Sequence, residues 1–182
     1  MVLISESKFG TKAQSINEIA ERLCAIDWYK NVGKKERATE EAIRCFMQKL
    51  QVQDYEIKWI TKEYLTETIS KLTFENSNLW AVLAVLPDIL KRKIDEADQA
   101  DLLNIVVDTV PQEIFHIAFE KSFQVFSEEK QINFFVGQAM YIAILVCTAQ
   151  IAGEVDLFTP LIEFLEAGHV LVGVEGNTIY LL

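Results

Sequence analysis

Charged side chains are missing from 23 consecutive residues, Gln131 to Gly153, and lysine and arginine are missing from the whole stretch Gln131 to Leu182. The first absence leaves two classes of structure, because a run of that length either crosses a bilayer or forms the central helix of a protein core. Asn133, Gln138, Thr148 and Gln150 interrupt its apolar character. Its flanks, Glu128, Glu129 and Lys130 on one side and Glu154 and Asp156 on the other, supply no basic end that would orient a membrane segment. The reading is therefore a buried core helix over about 128–152 with no membrane partner. Ser127 is expected to cap it and Gly153 to end it.

Turn formers are also scarce, with 7 Gly and 3 Pro among 182 residues. That favours long helices with short connections over a many-stranded sandwich. Cys24, Cys45 and Cys147 are odd in number and far apart, and are expected as small buried hydrophobes in a reducing compartment. After Met1 to Ile4 the chain turns polar at Ser5 and Glu6, so a secretory signal is not expected and a cytoplasmic location is.

The second absence unbalances the charge. Residues 1–91 hold 13 basic and 13 acidic side chains, whereas residues 92–182 hold 4 and 14, which accounts for the net charge of −10. A C-terminal half so short of cations is unsuited to nucleic acid, whose phosphates need them. It suits a basic protein partner. The acids expected to meet that partner are Asp95, Glu96, Asp98, Asp101, Glu154, Asp156, Glu163, Glu166 and Glu175.

What is present is mostly helical periodicity. Ile16, Ile19, Leu23 and Ile26 mark a helix over about 12–28, with Thr11 and Gln14 as a capping box. Lys30, Lys34, Lys35 and Arg37 around Gly33 read as a solvated loop. Thr39 is expected to cap a helix over about 40–50, with Glu40 and Arg44 paired. Tyr55 to Ile60 fits both strand and helix, and Thr61 to Leu72 reads as a helix. After a break at Asn76 to Asn78 comes the apolar run Leu79 to Leu86, with a kink or restart expected at Pro87. The sign reversal from Lys91, Arg92 and Lys93 to the following acids reads as an interhelical turn. Two further helices are expected, one ending near Pro111 and one over about 114–126. Pro160 and Gly168 bracket a short helix after Thr159. His169 to Val174 and Thr178 to Leu182 form a hairpin around Gly176. Alone it is marginal, so it needs the helices, another strand such as Tyr55 to Ile60, or a second chain.

The expected fold is thus mainly α, one domain of about eight helices around a central apolar helix, with a small C-terminal β-hairpin over about 169–182. No catalytic, cofactor or metal constellation emerges. His116 and His169 are the only histidines; His116 is expected partly buried and His169 is expected to cap helical carbonyls. Glu113/His116 and Glu166/His169 match a Glu-x-x-His spacing, which two short coincidences among 27 acids explain. Three functional readings follow. The leading one is a non-catalytic acidic protein-binding module, for example an immunity or antitoxin-type inhibitor of a basic protein. The others are a self-associating structural module acting through its hairpin edge or an apolar helix, and a ligand carrier or enzyme with Trp28, Trp59, Trp80 and Tyr141 around a site between helices.

Overall fold

Three residues separate the two longest helices, so they must double back on each other. In the computed structural model, which describes residues 11–52, 54–72, 78–94 and 96–182, Glu96–Val125 (α5) and Glu129–Ile151 (α6) form an antiparallel hairpin. Around it lie Thr11–Cys24 (α1), Arg37–Lys49 (α2), Lys62–Lys71 (α3), Asn78–Lys91 (α4) and Thr159–Glu166 (α7), with a 3₁₀ turn at Val155–Leu157. Met1 to Gly10, Asn76, Ser77 and Asp95 lie outside the described residues.

The uncharged run is the core helix. Phe135, Val136, Ala139, Ile142, Ala143, Val146, Cys147 and Ala149 are buried against α5, α1 and α4. Its length and hydropathy would also suit a membrane span, but 61% of its most apolar window is covered by the rest of the protein. Burial is uneven, since Asn133 and Gly137 in the first half reach the surface. Ser127 does not cap the helix. The cap position is Glu128, whose carboxylate accepts Thr66 Oγ1 at 2.9 Å, while the buried Gln131 donates Nε2 to Thr66 Oγ1 at 2.8 Å. That chain satisfies a buried amide and fixes α3 on the start of α6.

The structure corrects the sequence reading at several helix ends. There are seven α-helices among the described residues, because α5 continues through Pro111 where a stop was expected. Burial of Val106, Val110, Ile114 and Ala118 along one face of α5 sustains the helix across that proline. Pro87 also lies inside α4, so of the kink or restart expected there the helix does not restart. Helix α1 stops at Cys24, and Trp28 and Tyr29 belong to the loop that follows. Thr39 is the third residue of α2, where its hydroxyl donates to Glu36 O at 2.6 Å. Glu40 does not pair with Arg44; it accepts Trp59 Nε1 at 2.7 Å and faces Lys35, and Arg44 bonds Asp54 at 2.9 Å.

Tyr55 to Ile60 resolves as strand. Glu56–Trp59 (β1) pairs in parallel with Thr178–Leu181 (β3), which pairs antiparallel with Leu171–Glu175 (β2), giving the order β1-β3-β2. The hairpin turn is Gly176-Asn177, with Gly176 at φ +57°. The hairpin therefore gains the third strand it needs from a segment over a hundred residues earlier.

Candidate functional site

Among the acids whose side chains are described, Glu154, Glu166 and Glu175 engage separate parts of the fold. Glu96, Asp98 and Asp101 lie on the first two turns of α5. The antiparallel hairpin brings that end beside Glu154 and Asp156, just past the end of α6. Cations engage three of these residues. Lys93 pairs with Glu154, Lys49 donates to the carbonyl of Asp156 at 2.6 Å, and Arg22 holds Glu166 through two bonds of 2.6 and 2.8 Å. Glu163 is exposed beside this pair and adds to the field that raises the Arg22 pKa, behind the Glu166 hydrogen bond. Glu175 stands apart at the hairpin turn, where it accepts Tyr180 Oη at 3.2 Å. Asp95 falls outside the described residues.

A feature that the sequence reading did not single out lies on the outer face of α5. Phe115, Phe119 and Phe123 follow one another at i, i+4 spacing, so they form one row along the helix. Phe115 stacks on Phe119 with centroids 5.2 Å apart, and Phe119 meets Phe123 edge-on at 4.7 Å. Phe115 is 36% exposed and Phe123 59%. Beyond Phe123 the row opens into a groove of about 440 Å³ at the α5–α6 turn, floored by Phe119, Phe126 and Ile132 and edged by Glu129 and Asn133. That volume lies within the range of ligand-sized pockets.

The floor of the groove is held from behind. Phe126 stacks on Phe135 at 4.6 Å, and Tyr29 abuts both rings, at 5.4 Å and 6.2 Å. Tyr29 is buried at φ +69°, a conformation costing about 1–3 kcal/mol for a residue with a Cβ, and this aromatic packing is what retains it. Burial raises the pKa of its phenol, which stays neutral at any physiological pH.

The rim is anionic. Over its 30 residues α5 carries Glu96, Asp98, Asp101, Asp108, Glu113 and Glu120 against one cation, Lys121. Lys121 Nζ sits 2.9 Å from Asp27 Oδ1, and this bond holds the Asp27 carboxyl below its usual range. Lys130, the next lysine, directs its ammonium to Ser70 Oγ at 3.3 Å. Glu120 and Glu129, by contrast, are exposed beside the phenylalanines.

Elsewhere the side chains read as architecture. Trp28 packs on Tyr29, Trp59 borders a cleft of about 420 Å³ between β1 and α3, and Tyr141 borders a void of only about 20 Å³, so these aromatics do not share a site. The Trp80 side chain lies outside those described. Cys147 is buried with its pKa pushed up to about 12, and the half-buried Cys24 is shifted the same way by burial. Neither is a poised nucleophile. Cys45, expected to be buried, is exposed, and so is His116, whose ring meets Phe115 edge-on at 5.6 Å.

His169 does not cap helical carbonyls. Asn31 does so, donating Nδ2 to Ala167 O at 2.8 Å and its N–H to Gly168 O at 3.0 Å. The His169 ring is buried between Trp59 and Phe164, with Nε2 3.7 Å from Glu36 Oε2, beyond hydrogen-bond length. Among the described residues no three His, Cys, Asp or Glu side chains gather as a metal site. No protein-family model matches the chain, and no curated protein or solved structure does.

Proposed function

We propose that the protein is a non-catalytic acidic binding module for a basic protein partner, acting in the cytoplasm, with the outer face of α5 as its platform. The observation that carries this reading is one helix that bears Asp108, Glu113 and Glu120, has its single lysine already engaged by Asp27, and exposes Phe115 and Phe123 near those acids. Exposed aromatics with an acidic surround match the anatomy of a protein interface, where aromatic side chains anchor and charge selects the partner. An immunity or antitoxin-type inhibitor of a basic protein is the specific role that fits.

Self-association through the hairpin has less support. Strand β3 is paired on both sides, and the outer strand β1 carries Glu56 and Lys58, charges of the kind that blunt an edge. Affinity capture from the native cell tests the proposal. A basic protein should be retained and then released when Asp108, Glu113 and Glu120 are changed together to their amides. Retention of no partner, or of acidic partners alone, contradicts it.

A further inference from the structure

Resting on the binding reading above, we infer that the groove at the α5–α6 turn receives the apolar face of a cationic amphipathic helix. Three observations converge on that occupant. The phenylalanine row and the groove are continuous through Phe119 and Phe123, so the apolar strip runs along α5 and ends in a concave socket. From Phe115 to Phe123 it covers two helical turns, about 12 Å, the reach of three apolar side chains at i, i+3 or i+4 and i+7 on a docked helix. Its borders carry Glu120 and Glu129, while Lys121 and Lys130 are turned to Asp27 and Ser70.

Charge then selects among the classes of occupant. A second copy of this face would bring two sets of Glu120 and Glu129 into one interface, where like charges repel. An anionic membrane surface would be repelled for the same reason. A helix with leucine or phenylalanine on one face and lysine or arginine beside it satisfies both the socket and the rim. The hardness of the socket adds to the fit, because the stack of Phe126 on Phe135, backed by Tyr29, sets its shape before anything binds.

The test is an anisotropy titration of the full chain with three synthetic peptides of about 18 residues, a length of ~27 Å as helix. The first places Leu on one helical face and Lys on the other, the second shuffles the same composition, and the third keeps the Leu face but has Glu for Lys. Binding of the first peptide is expected, weakened about tenfold or more by Phe123→Ser and by Glu129→Lys, with little binding of the other two. Phe123 is exposed, so its replacement leaves the fold intact, and circular dichroism verifies that. Equal binding of the shuffled peptide would preserve the acidic platform but overturn the groove. Equal binding of the Glu peptide, or indifference to Phe123→Ser, would also overturn it. A dimer in sedimentation that Phe123→Ser disperses would assign the face to a second copy instead. Failure of every cationic peptide would overturn the groove and the acidic reading together.

Discussion

Tyr141 Oη donates a 3.0 Å hydrogen bond to the carbonyl oxygen of Leu83, the acceptor that Pro87 leaves without a helical N–H four residues later. A proline inside a helix is tolerated when another donor fills the missing bond. Here α6 supplies it, which explains both the continuity of α4 and the role of a tyrosine in the core helix. Tyr141→Phe should lower stability by about 1 kcal/mol. The loss should shrink when Pro87→Ala is also present, since position 87 then carries its own N–H. Urea unfolding of the four-member cycle measures the coupling, and strictly additive losses would contradict the account.

Two glycines should respond in opposite senses. Gly168 has φ +83°, and a Cβ there would lie 2.9 Å from both Asn31 N and Lys30 Cβ. Gly168→Ala should cost roughly 2 kcal/mol or more and loosen the loop that carries Tyr29. Gly137 lies inside α6, where an added methyl would meet nothing within 4 Å, so Gly137→Ala should stabilise by roughly 0.5–1 kcal/mol. Thermal unfolding of both variants decides it, and a Gly168→Ala protein as stable as wild type would refute the close approach.

Acid should weaken the fold through His169. Burial lowers its pKa from 6.5, the Lys34 charge acts in the same sense, and Glu36 opposes both. Below pH 6.5 the unfolded chain therefore takes up a proton that the folded chain resists, so stability is full above that value and declines as pH falls toward the folded pKa. The stability difference between wild type and His169→Gln should narrow from about pH 7 to about pH 5. Glu36→Gln should steepen the wild-type decline. A difference that is flat across this window would remove His169 as the cause.

Arg22 and Glu166 join regions 144 residues apart by a forked ion pair, with both side chains partly exposed. Glu166→Gln should cost about 0.5–1 kcal/mol at low salt and less at high salt, because exposed pairs are screened. Since Glu166 is engaged at the α1–α7 junction, the same change should leave partner affinity unaltered. Unfolding curves at two salt concentrations check the first expectation and a binding titration the second; loss of affinity would return Glu166 to the docking surface.

The sequence was most informative where periodicity alone specifies structure. The uncharged run names the core helix, the Ile43, Phe46 and Met47 spacing names α2, and the Gly176-Asn177 turn names the hairpin. Helix ends were less legible, because they depend on distant partners. Thr66 rather than Ser127 organises the start of α6, and Asn31 rather than His169 caps α7. The strand at Glu56–Trp59 was ambiguous because its ladder partner begins at Thr178. Charge counting found the acidic half but missed that Arg22 and Lys49 would reach across to it and that Lys93 would pair with Glu154 within it. The phenylalanine row was visible as an i, i+4 series, yet only its exposure distinguishes it from core, and exposure is a property of the assembled fold.

The central claim, that the acidic face of α5 selects a basic partner, is tested most directly by the association rate of the captured partner as a function of salt. Steering by an acidic platform predicts a rate that falls about tenfold or more between ~0.05 and ~0.5 M salt, with a clearly shallower dependence once Asp108, Glu113 and Glu120 are neutralised together. A rate indifferent to both salt and those three substitutions would contradict it.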